Sequence, residues 1–247
     1  MEVENKKVGF LAIILTIGLG IAGLFIWLFS ELAEEVLENE LRKFDNRIID
    51  FFESIKTPTL DGIYFLITEM GSVWFLTSLS VLVVLWLWFK VKDKWGVFFF
   101  IIAMGGNGAL NWILKQVYER GRPSINEAID AIGFSFPSGH SMGSLVFYGF
   151  IFYLVVRSAQ KKSMKIMAFI FLGTLILLIG MSRIYLGAHF PSDVIAGFLA
   201  GTVWLILCLL ALEWIQWQSH NQVPPVRALR KLLISNYKSL KQKHERR

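Results

Sequence analysis

The chain has 247 residues, of which 55% are hydrophobic, 15% aromatic and only 18% charged, with a mean hydropathy of +0.54. That composition excludes an ordinary soluble domain and fits a helical membrane protein. The net charge of +6 does not indicate nucleic acid, given where the basic residues fall. The single cysteine, Cys208, excludes an intrachain disulfide and a cysteine-based zinc site.

About 20 mostly apolar residues are needed to cross a bilayer. Six stretches qualify: residues 8–30, 73–89, 95–114, 137–156, 164–186 and 191–213. The first is too long for a signal-peptide core and runs into ELAEEVLENE, not a small-residue cleavage site, so it is expected to span. After it, Leu32, Val36, Leu37, Leu41, Phe44, Ile48, Phe51, Phe52 and Ile55 recur at helical spacing among acidic and basic residues. This pattern predicts an amphipathic helix on the outer membrane surface, acting as a connector. The apolar IYFLIT ahead of the short second span could lengthen it. Asn107, among Gly105, Gly106 and Gly108 in the third span, reads as close helix packing with a hydrogen bond. The expected fold is all-α: an integral membrane bundle of six transmembrane helices with an outer interfacial amphipathic helix. One domain covers residues 1–220, and residues 221–247 form a basic cytoplasmic tail that meets anionic headgroups.

Charge sets the expected orientation. Seventeen of the 25 Lys and Arg fall in the termini and alternate loops, including eight between Arg227 and Arg247. The positive-inside rule then places both termini in the cytoplasm and the loops after the first, third and fifth spans outside.

That topology gathers the unusual polar residues on one face. Lys115 ends the third span, and Arg122 follows it in a turn closed by Pro123. Ser138, Gly139 and His140 open the fourth span in FPSGHSMGS, Arg183 ends the fifth, and His189 and Asp193 flank the start of the sixth. Charges so near a bilayer are costly unless paired or used. Lys and Arg suit phosphate oxygens, the one as a point charge and the other as a planar fork. A helix start with free N–H groups also favours an anion. His189 and Asp193, four residues apart, share a helix face, where the carboxylate can fix the imidazole tautomer and leave the other nitrogen as nucleophile or base. Read separately, PSGH and PSD are also ordinary helix caps. Glu119 and Arg120 read as a surface pair, with tuning of substrate access as the alternative, and Glu69 faces the site or caps a helix.

Together these stretches form a signature. Lys115 to Pro123 fits K-x6-R-P, Pro137 to His140 is P-S-G-H, and Ser182 to Asp193 fits S-R-x5-H-x3-D. In this order they resemble the type-2 phosphatidic acid phosphatase superfamily of membrane lipid phosphatases, whose site is shared with vanadium haloperoxidases and some soluble acid phosphatases. The resemblance implies a hydrolase in which His189 forms a phosphohistidine, Asp193 orients it, and His140 protonates the leaving oxygen and then activates water. Lys115, Arg122, Arg183, the Ser138 hydroxyl and the amides of Gly139 and His140 would hold the phosphate, with no metal or other cofactor. Its substrate would be a lipid phosphate in the bacterial plasma membrane, reached from the extracytoplasmic side. Candidates are phosphatidylglycerol phosphate, phosphatidic acid and undecaprenyl diphosphate. The alternative is a transporter or lipid scramblase with an external phosphate-binding site, which should carry charges near mid-membrane.

Overall fold

The computed structural model describes residues 2–123 and 133–220, so the basic tail at 221–247 lies outside the described residues. These residues form eight helices: α1 (Glu2–Leu37), α2 (Arg42–Ser54), α3 (Pro58–Glu69), α4 (Val73–Trp86), α5 (Lys94–Tyr118), α6 (Gly139–Arg157), α7 (Lys162–Tyr185) and α8 (Pro191–His220). Six are long and apolar enough to cross a membrane: α1, α4 with its π-helical extension Leu87–Val91, α5, α6, α7 and α8.

Helix α6 is the hub, packing against α4, α5, α7 and α8. Its buried Val146, Phe147 and Phe150 meet Phe100 of α5, with the Phe100 and Phe150 rings 5.1 Å apart and nearly perpendicular. Outward faces carry large apolar side chains such as Leu66, Met167 and Phe171, which lipid can cover. Two glycines let α8 approach α6 backbone to backbone. A Cβ added at Gly197 would lie 2.7 Å from the Ser138 carbonyl oxygen, and one at Gly201 would lie 3.1 Å from that of Met142.

Two expectations change around α2 and α3. The amphipathic pattern from Leu32 to Ile55 belongs to two helices, because α1 runs on to Leu37 and the chain turns at Asn39, where φ is 61°. Helix α2 begins only at Arg42 and buries Phe52 against Ile184 and Tyr185 of α7. The apolar IYFLIT does not lengthen the second span either. It lies in α3, capped by Thr57 with Pro58 at its first turn, and the chain breaks at Gly71 before Ser72 caps α4. Packing explains the break: a Cβ at Gly71 would lie 2.5 Å from Ile179 and 3.3 Å from the His140 ring. Helix α3 docks on α7 by stacking Tyr64 on Tyr185 at 4.2 Å, while the Tyr185 hydroxyl donates to Asp61 at 2.7 Å.

Close helix packing is confirmed around Asn107, where a Cβ at Gly106 would lie 2.1 Å from the Trp204 ring. The expected hydrogen bond is not made by its side-chain oxygen, since Asn107 Oδ1 is buried without a partner.

Candidate active site

At one end of the bundle, Lys115, Arg122, Gly139, His140, Arg183 and His189 line one cavity of about 740 Å³. Three separate chain segments thus reach one space. The segment before α6 is laced to the end of α5: Ser135 N donates to the Arg120 carbonyl at 2.8 Å, and Ser135 Oγ to that of Gly121 at 2.8 Å. Phe136, fully buried between Phe29 and Tyr118, pins this segment to α1 and α5.

Each of the three cations donates to neutral oxygens. Lys115 Nζ donates to the Phe134 carbonyl. Arg122 donates through Nε to Gly133 O at 3.0 Å and through Nη1 to Ala188 O at 2.8 Å. Arg183, 3% exposed, donates to Thr68 Oγ1 at 2.7 Å and keeps its Nε buried without a partner. Carbonyls and a hydroxyl orient these groups, and cations so oriented suit the oxygens of an anion.

His189 lies in the turn between α7 and α8, 2% exposed. Its Nδ1 is 3.4 Å from Asp193 Oδ2, and its Nε2 is 3.3 Å from Arg122 Nη1. With a carboxylate on Nδ1 and an obligate donor on Nε2, the consistent tautomer carries its proton on Nδ1 and aims the Nε2 lone pair at the arginine. Burial pushes the His189 pKa down to about 4, with Asp193 opposing the shift and Arg183 and Arg122 adding to it. The ring is therefore neutral at pH 7, as a nitrogen nucleophile must be.

His140 faces the same cavity from the first turn of α6. Among the described residues no hydrogen bond holds its ring. Ser138 stands behind the cavity wall, fully buried, and its hydroxyl accepts from Ser141 N at 3.4 Å and from Ser141 Oγ at 2.9 Å. Its amide donates to the Asp193 carbonyl at 2.9 Å and so ties the start of α6 to α8. Gly139 is backed by Asn111, whose Oδ1 would be 3.0 Å from a Cβ there and whose Nδ2 donates to Pro137 O at 3.3 Å.

Four residues of this region escaped the sequence reading as site components. Arg120, expected in a surface pair, is buried in a three-way bond: Nη1 donates to Asp193 Oδ1 at 2.6 Å and Ser192 Oγ at 2.7 Å, and Nη2 donates to Asp45 Oδ2 at 2.8 Å. Its guanidinium lies 4.2 Å from the centre of the Phe190 ring. Asp45 of α2 is fully buried and also accepts from Ser192 N at 2.9 Å and Ser192 Oγ at 2.7 Å. The amphipathic helix is thus more than a connector, because it delivers a buried carboxylate behind the catalytic candidates. Thr68 and Asn111 complete the set, and none of the four carries a motif that could have marked it. Glu69, left open from sequence, accepts from Trp74 Nε1 at 2.7 Å across the break between α3 and α4.

The chain as a whole is similar to known membrane phosphatases. The PAP2 superfamily profile matches residues 96–217. Over 180 residues the chain is 34% identical to phosphatidylglycerophosphatase B of Bacillus subtilis, covering 72% of this chain and 88% of that protein. It is 32% identical over 142 residues to the putative undecaprenyl-diphosphatase YbjG of Escherichia coli, covering 56% of this chain and 65% of the relative. The crystal structure of a transmembrane PAP2-type phosphatidylglycerolphosphate phosphatase from Bacillus subtilis superposes with a TM-score of 0.70 at 31% identity, covering 76% of this chain and 94% of that one.

Proposed function

The chain belongs to the PAP2 superfamily, as an integral membrane hydrolase of phosphate esters resembling phosphatidylglycerophosphatase B, and we propose that it dephosphorylates a membrane lipid through a phosphohistidine on His189. The observation that carries this reading is the His189 ring, oriented by Asp193 through Nδ1 and presenting Nε2 to a cavity edged by three cations.

The reaction then runs in two displacements. His189 Nε2 attacks phosphorus as the bond to the lipid oxygen breaks, and His140 gives that oxygen its proton. His140, now neutral, takes a proton from water, whose oxygen attacks phosphorus and breaks the P–N bond, releasing inorganic phosphate. Lys115, Arg122 and Arg183, with the amides at the start of α6, hold the three equatorial oxygens and stabilise the charge that spreads over them. Ser138 serves by fixing that helix start, and Asp193 by holding the ring and its tautomer. The three cations supply what a metal supplies in other phosphotransferases, so the reaction needs no metal and no cofactor.

Substrate reaches the site from the membrane. The cavity continues between α4 and α5 past Val81, Leu85 and Ile101, apolar residues that are also exposed on the outside of the bundle. A lipid can keep its tail in this cleft while its phosphate meets the cations. Phosphatidylglycerol phosphate, undecaprenyl diphosphate and phosphatidic acid all have suitable phosphates, and the names of the relatives favour the first two. The charge distribution supports an extracytoplasmic site with both termini in the cytoplasm.

The test is phosphate release in detergent micelles with EDTA present. Turnover should persist in the wild type, and an alkaline quench during turnover should trap the acid-labile phosphohistidine that His189→Ala cannot form. Full activity in His189→Ala would overturn the mechanism.

A further inference from the structure

Helix α3 lies outside the six spans and outside all three motifs, yet its last turn reaches two of the proposed catalytic groups. Its apolar Leu60, Tyr64 and Ile67 are only partly buried against neighbouring helices, and Phe65 and Leu66 face outward. Of its twelve residues Thr68 alone is buried, at 2% exposure. The one side chain that α3 commits fully to the interior is therefore a hydroxyl, where packing by itself calls for an apolar group.

That hydroxyl accepts from Arg183 Nη1 at 2.7 Å. Among the described residues it is the only hydrogen bond of the Arg183 guanidinium, whose Nε is buried without a partner. A guanidinium is a rigid planar fork, so fixing one Nη sets the direction of the other. Arg183 lines the cavity beside Lys115 and Arg122, and Nη2 is the group left to meet an anion there.

Thr68 can hold this direction because the turn that carries it is itself fixed. Tyr148 of α6 donates to the Met70 carbonyl at 2.9 Å. On the other side, Tyr64 stacks on Tyr185 and Asp61 accepts from its hydroxyl, which clamps α3 to α7 two residues beyond Arg183. The same turn ends at Gly71, where an added Cβ would lie 3.3 Å from the His140 ring. One turn thus backs both Arg183 and His140.

We propose that Thr68 is a positioning residue for phosphate transfer, holding Arg183 so that Nη2 faces the phosphate, and that delivering this hydroxyl is the task of α3. The proposal rests on the lipid phosphatase reading and deepens it: one of the three cations that grip the phosphate is aimed from a helix that carries no motif and crosses no membrane.

The experiment pairs Thr68→Val, which keeps the branched shape without the hydroxyl, with Thr68→Ser, which keeps the hydroxyl without the methyl. Phosphate release in detergent is followed from phosphatidylglycerol phosphate, undecaprenyl diphosphate and phosphatidic acid, and kcat/KM is compared on the lipid that the wild type turns over best. Thr68→Val should lose about tenfold or more, as one hydrogen bond to a charged group supplies, and Thr68→Ser should stay within about threefold of wild type. Packing alone predicts the reverse order, because serine opens a void that valine fills. Thr68→Ala should fall as far as valine does, and supplies the same contrast with serine if valine disturbs folding. In an Arg183→Ala background, with no guanidinium left to hold, Thr68→Val should cost less than about twofold further. Serine falling as far as valine, valine at the wild-type rate, or additive losses in the double variant would each overturn the role of Thr68 and leave the phosphatase reading standing. No phosphate released from any of the three lipids by wild-type protein would overturn that reading itself.

Discussion

The bundle carries a charged network at each end, and the two are built differently. At the end away from the cavity Arg157 of α6 meets Glu213 of α8 at 2.9 Å and Tyr153 at 2.7 Å, with Arg157 and Glu213 side chains 43% and 31% exposed. At the cavity end Arg120 joins Asp45 and Asp193 with side chains 15%, 0% and 0% exposed, and every carboxylate oxygen of the two acids is engaged. The first network ties helix ends where water or headgroups can replace a lost partner. The second leaves no replacement, so each member fixes the geometry of the next. Burial and saturation, more than the presence of ion pairs, separate a positioning network from a surface tie.

Substitutions can break that contrast. The largest effect belongs to His189→Ala, which removes the proposed nucleophile and should lower kcat by on the order of 10³-fold or more in detergent assays with lipid substrate. Asp193→Asn keeps the shape but weakens control of the tautomer, and should cost on the order of 10³-fold in kcat with little change in KM. Asp45→Asn, far from any reacting atom, should still lower thermal stability by about 3 kcal/mol, because it leaves Arg120 with half its compensation. Its kcat should fall as well, whereas a purely structural role would leave the rate of the folded fraction untouched. Arg157→Ala at the other end should change stability by less than about 1 kcal/mol and leave kcat alone. A large loss there, or none at Asp45, would erase the distinction.

The pH dependence sharpens it further. His189 titrates at about 4 in the folded protein and near 6.5 unfolded, so the unfolded chain binds the extra proton between those values. Its contribution to stability is complete above about pH 6.5 and lost as pH falls toward 4. Thermal scans from pH 7 to 4 should show that decline, and His189→Gln should flatten it.

The two ends also differ in how much the sequence discloses. The six spans and the sites of Lys115, Arg122, His140, Arg183, His189 and Asp193 are legible because each rests on a local pattern: a run of apolar residues, or a motif within one helix end. Arg120, Asp45, Thr68 and Asn111 are not, because their significance lies in contacts between segments 75 residues or more apart for Arg120 with Asp45, and 115 for Arg183 with Thr68. An aspartate on the polar face of an amphipathic helix looks solvated until another helix covers it. The separate helix α3 was hidden for a related reason, since an apolar run gives no sign of where tertiary packing at Gly71 will interrupt it.

Gly197 gives the site its dimensions. His140 rides on α6 two residues after Ser138, and His189 precedes α8 by two residues, so the gap between the proposed proton donor and the proposed nucleophile is set by how closely those helices lie. At Gly197 that separation is held by a hydrogen atom, where a methyl carbon would sit 2.7 Å from the Ser138 carbonyl against an ordinary contact of 3.4–4 Å. A Gly197→Ala protein would have to move the helices apart by the better part of an ångström, and an in-line transfer between two histidines has no slack of that size. In this enzyme the reach of the chemistry is a packing parameter, written by the smallest residue on a helix face that never touches the phosphate.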